Sequence, residues 1–182
     1  MKYTSFSLLS LLIINFAFAQ DVPKEITPQL LQKITAEVEK SVPALREKLS
    51  KQLLPANEIE FSIDTFRINR ITAKRLDIDY STAGMVNTID DLATSYDKVM
   101  NKYYNKLLRA LKPQDKKVLI NAQRSWLAYR NAEAKLISMM TKDAYSGGGS
   151  IQSNIEATGY ADIVQKRAIT IFGYYTNMTT SK

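Results

Sequence analysis

Cysteine and histidine are both absent from this 182-residue chain. Without cysteine there is no disulfide, no thiol nucleophile and no thiolate metal ligand. Without histidine the commonest general base is gone, and with it the serine triad and imidazole metal sites. Aspartate, glutamate, lysine and tyrosine remain for acid–base work, and the sequence displays no carboxylate dyad. Neither a cofactor nor a metal is therefore expected. Long hydrophobic runs are lacking as well. Beyond the first 19 residues no stretch approaches 18 apolar residues, so no membrane span is expected.

The first residues read as a secretory signal peptide. Lys2 supplies a positive start, Phe6 to Phe16 is mostly apolar, and Ala17-Phe18-Ala19 has the small-x-small cleavage pattern. Cleavage is expected before Gln20, which implies export to the periplasm or beyond the cell. No cysteine follows, so lipid anchoring on that residue is excluded. The formal charge is +7, or +6 without Lys2. An exported basic protein meets anionic glycans, lipid surfaces or acidic proteins sooner than nucleic acid. Acids are interspersed among the bases, as on an ordinary solvated surface. With 45% apolar residues the chain can bury a sizeable core.

Apolar periodicity predicts an all-α fold, an antiparallel helical bundle with an N-terminal helical extension. Leu30, Leu31, Ile34, Val38, Leu45, Leu49 and Leu53 mark a first helix over residues 26–54. Thr27-Pro28 is its start, and Pro43 must kink it or split it in two. Residues 58–79 fit a strand through Ile59, Phe61 and Ile63. They also fit a helix through Ile59, Ile63, Phe66 and Arg70. Helix is preferred, because a lone strand has no partner. Ser81 or Thr82 can cap a long helix over 85–111, with a core face through Ile89, Leu92, Tyr96, Val99, Met100, Tyr103, Leu107, Leu108 and Leu111. Pro113 opens the next helix, over 114–141, whose expected core is Val118, Leu119, Ala122, Trp126, Tyr129, Leu136 and Met140. Gly147-Gly148-Gly149-Ser150 lacks the lysine of a phosphate-binding loop and reads as a connector. A last helix covers 151–175 through Ile155, Ile163, Val164, Ile169 and Phe172, and 176–182 is expected to be a flexible tail. The expected units are thus a signal peptide (1–19), a helical extension (20–80), a helical domain (81–175) and the tail.

Two polar stripes stand out at helical spacing. Asp97, Asn101 and Tyr104 share one helix face, and Gln123, Trp126, Arg130 and Glu133 share a face of the next. If the turn near 112–115 folds the second helix onto the first, Tyr104 falls near Gln123 and Asp97 near Arg130. Such a set can be an internal clasp built on an Asp–Arg pair. It can also open to a groove, with Arg130 holding a carboxylate and Trp126 stacking on a ligand. A catalytic use of Asp97 or Glu133 would lack the second carboxylate such chemistry normally needs.

Residues from about 81 to 173 resemble the LprI-type lysozyme-inhibitor domain, an exported bacterial helical domain. The resemblance runs through Asp97, Met100-Asn101 and Tyr104, where the family has Asp-x-x-Leu-Asn-x-x-Tyr. It continues through Gln123, Trp126, Tyr129 and Arg130, where the family has Gln-x-x-Trp-x-x-Tyr/Phe-Arg-Asp, and through Gly148-Gly149-Ser150 and Arg167. Asn131 stands where the family has Asp. The cysteines that staple many members would fall near Thr88, Ala134 and Gly159, none of which is cysteine. The resemblance implies a non-catalytic binding protein. Its partner would be a protein, a lysozyme being the sharpest case, or a peptidoglycan-type envelope component. The alternative is an envelope structural or assembly factor acting through residues 20–80.

Overall fold

The computed structural model describes residues 22–180, and the segment expected to be a signal peptide lies outside them. Seven helical segments follow one another, and no strand occurs among the described residues. They are α1 (Pro28–Glu39), α2 (Val42–Lys51), α3 (Ala56–Ile78), α4 (Thr82–Ala110), α5 (Pro113–Met140), the single turn α6 (Asp143–Ser146) and α7 (Ile151–Thr180). The first long helix is divided at Lys40–Ser41. Pro43 sits in the first turn of α2, where its missing N–H costs nothing. Thr27 caps α1 by accepting from the Leu30 N–H at 3.2 Å, and Ser81 caps α4 by accepting from Gly84 N–H at 3.0 Å. Residues 176–180, expected as a tail, continue α7. Asn57 of α3 donates to the Thr176 hydroxyl at 2.8 Å, tying that end to the bundle.

α4 and α7 form the most extensive helix pair. They run parallel, since Tyr96 meets Gln165 and, further along, Tyr103 meets Phe172. Small buried residues line their seam: Thr88 and Ala93 on α4, and Ala157, Ala161 and Ala168 on α7. Small side chains let the two backbones approach closely, and large ones fill the flanks. Tyr96, Met100 and Tyr103 with Val164 and Ile171 make up the main core.

α3 closes this core antiparallel to α4. Phe61 stacks on Phe172, with ring centroids 3.9 Å apart, and meets Tyr103 edge-on at 5.4 Å. Above the rings, Lys102 binds Asp64 at 2.5 Å and Glu60 at 2.8 Å, and Lys106 binds Glu60 as well. Burial alone would raise the Glu60 pKa, but hydrogen bonds from the two lysines outweigh it and hold the carboxyl below its ordinary 4.5. Burial first, and then these carboxylates, push the Tyr103 phenol far above its usual range, so it stays neutral. α1 and α2 cover the other side of α3. Val42, Ile59 and Ile63 form a second small core there, and Arg67 grips Glu39 through two bonds of 2.6 and 2.8 Å.

α5 departs from expectation. Its backbone lies against α7, antiparallel to it, and only Leu119 and Gln123 of its residues are buried. Of the expected core residues, Val118 is 70% exposed, Tyr129 54%, Leu136 47% and Met140 50%, and Ala122 is exposed too. The helix carries two candidate faces, and it docks through the one bearing Gln123, Trp126 and Ile137. Gly159 allows this: a Cβ there would meet the Ile137 side chain at 3.0 Å. On α7, Ile155 and Ile169, also expected inside, are each 49% exposed. The three loop glycines after α6 all have positive φ (78°, 79° and 95°), a conformation other residues adopt only under strain.

Two outcomes follow. Ala168→Leu should destabilise the protein by about 1–3 kcal/mol in urea titrations, because a fully buried position on the α4–α7 seam has no room for a larger side chain. Glu60→Gln should also destabilise at neutral pH. A depressed folded pKa contributes stability above the ordinary value and loses it as pH falls through the folded value. The gap between wild type and variant should therefore narrow in urea titrations run progressively below pH 4.5.

Candidate functional site

The two polar stripes do reach one region. Because α5 leans on α7, a groove of about 380 Å³ opens between α4 and α5. Asp97, Asn101 and Tyr104 enter it from α4, and Gln123, Arg124 and Arg130 from α5. Met100, Ile120 and Leu127 supply its apolar surface. Five of the seven residues singled out from the sequence thus line one groove.

The internal bonding differs from the expected clasp. Asp97 and Arg130 form no ion pair. The Asp97 carboxylate accepts from Asn101 Nδ2 at 2.8 Å, one turn along its own helix. Arg130 donates to its neighbour Asn131 through Nε at 3.2 Å and Nη2 at 3.0 Å. Its guanidinium lies 5.5 Å from the Trp126 ring and 5.9 Å from the Tyr160 ring of α7. Arg167, also on α7, approaches the same indole at 5.7 Å. Trp126 is therefore the middle of a ladder of cations and rings that fastens α5 to α7. Each such contact is worth about 0.5–2 kcal/mol, more where water is excluded.

Gln123 belongs to that fastening too. Its Oε1 accepts from Arg167 Nε at 3.1 Å, and its Nε2 donates weakly to the Met100 sulfur at 3.6 Å. Burial pulls the Arg167 pKa below its ordinary value, and the Gln123 carbonyl partly replaces the water it has lost. Glu133 is half-buried and does not line the groove. Arg124, which sequence reasoning passed over, is exposed on the groove rim. Its place beside Gln123 was available from the run Gln123-Arg124, but nothing in the pattern separated it from an ordinary surface cation.

Chemically the groove has a carboxylate on one wall, guanidinium groups on the other and an apolar surface between them. That suits recognition. General acid–base cleavage of a glycoside would need two carboxylates flanking the bond, and Asp97 is the one carboxylate in the lining. Among the described residues no group of three acidic side chains gathers to hold a metal.

Against known proteins, a family model described as Lysozyme inhibitor LprI matches residues 75–170, just over half of the chain. No curated protein and no solved structure matches. The match starts at the last turn of α3, so it takes in the groove, the ladder and most of the α4–α7 seam.

The bonding pattern predicts an order of effects. Gln123→Ala strips a half-buried guanidinium of its acceptor and should cost about 1–3 kcal/mol. Asp97→Asn, which breaks no ion pair, should change stability by less than about 0.5 kcal/mol. Chemical denaturation of the two variants checks this, and a large loss in Asp97→Asn would restore the Asp–Arg clasp.

Proposed function

This chain belongs to the LprI lysozyme-inhibitor family, and on that premise we propose that it is an exported, non-catalytic binding protein. Its target is a peptidoglycan-cleaving lysozyme, and the α4–α5 groove is the heart of the contact surface. The groove carries the reading. It is open, it has apolar surface in Ile120 and Leu127, and the exposed Arg124 on its rim is in no ion pair among the described residues. Buried apolar centres with polar rims are what protein contacts use.

The helices before the family match favour no separate partner role. α1, α2 and α3 spend their apolar faces on one another and on the core, through Ile34 and Val38, the Val42–Ile59–Ile63 cluster and Phe61. They act as a support that holds α4 in place.

Binding of the mature chain to a panel of lysozymes, with the rate of peptidoglycan cleavage recorded alongside, tests the proposal. The wild type is expected to bind at least one lysozyme and slow it. Leu127→Glu, which puts a charge on the groove's apolar surface, should weaken binding by about tenfold or more at unchanged melting temperature. Undiminished binding by that variant would move the contact elsewhere, and a panel without any binder would end the lysozyme reading.

A further inference from the structure

We infer that the lysozyme face docked on this site is acidic: it brings carboxylates to a line of unpaired cations on α5. This rests on the function proposed above and specifies the chemistry of its partner.

Ion pairing in the molecule is one-sided. Among the described residues, every ion pair between helices joins α3 to α1 or to α4. α5 carries five cations and two carboxylates, and among the described residues none of them is in an ion pair. Lys117, Arg124 and Lys135 stand 7 and then 11 residues apart, so they share one line along the helix. All three are exposed, and Arg124 is also on the groove rim. Arg109 and Lys112, both exposed, add positive charge at the α4–α5 turn. The facing carboxylates are few: Asp97 in the groove already accepts from Asn101, and Asp115 and Glu133 lie toward the other side of α5.

Beside this line, on its groove side, lie Ile120 and Leu127, the groove's apolar surface. Cations bordering such apolar side chains match a protein face that offers carboxylates around an apolar centre. A lipid surface would be served by cations on both borders of the apolar surface. Here Asp97 puts negative charge on the opposite wall. A strongly basic lysozyme would be repelled at long range, whereas an acidic one would be steered in, with an association rate that falls as salt rises.

The mature chain is titrated against a strongly basic lysozyme, an acidic lysozyme and phosphatidylglycerol vesicles. The expected result is binding to the acidic lysozyme at least about tenfold tighter than to the basic one, weakening between about 50 and 500 mM salt. Lys117→Glu with Arg124→Glu should lose about tenfold or more, mostly in the association rate. Lys33→Glu with Lys48→Glu on α1 and α2, the same change in net charge, should bind like wild type. Melting curves accompany each variant, and Lys117→Gln with Arg124→Gln carries the test if the reversal does not fold. Equal or tighter binding to the basic lysozyme, untouched by the α5 reversal, overturns the acidic-face inference and leaves the lysozyme reading standing. Binding to vesicles alone, or to none of the probes, overturns both.

Discussion

The close parallel approach of α4 and α7 is the constraint on which the rest of this structure depends. Their seam is lined by alanines and Thr88, so the two helices bury one another's backbones and leave no room for a third helix between them. α5 connects them in sequence yet must pass outside the pair. It follows α7 and stands off from α4. The groove is the space that remains. A larger residue at Ala161 or Ala168 would not only strain the core; it would change how far α5 stands from α4, and so the shape of the site.

With no cysteine available, α5 is fastened by other means. Arg167, Trp126, Arg130 and Tyr160 alternate cation and ring between α5 and α7, and Gln123 holds Arg167 in register. At Gly159, Ile137 packs directly onto the α7 backbone. The same residues that make the motif recognisable are thus divided between two tasks. Gln123 and Trp126 mainly hold the helix. Asp97, Asn101, Tyr104 and Arg130 shape the opening beside it.

Much of this was legible in the sequence. Apolar spacing and the prolines at 28, 43 and 113 located every long helix to within a few residues, because these signals are local. The stripes at 97–104 and 123–133 were found by helical spacing, and five of their seven residues line one groove, Trp126 and Glu133 being the exceptions. What failed was non-local. α5 has two plausible faces, and periodicity alone chose the one through Val118, Tyr129 and Leu136, which lies in solvent. The pairing of Asp97 with Arg130 assumed that consecutive helices pack closely. It overlooked α7, whose small residues claim the nearer place beside α4. α3 reads as an appendage in sequence, yet Phe61, stacked on Phe172 and edge-on to Tyr103, and the Lys102 and Lys106 ion pairs join it to the main core.

Native-state hydrogen exchange would test the central claim most directly. If α4 and α7 are the frame and α5 is fastened to its outside, amides around Tyr96–Leu107 and Ala161–Ile171 should exchange only through global unfolding. Those of α5 should open at a distinctly lower free energy, as a separate unit. Protection of α5 equal to that of α4 and α7 would contradict the account, because it would mean that α5 is integral to the frame and that the groove beside it is not an independent, deformable site.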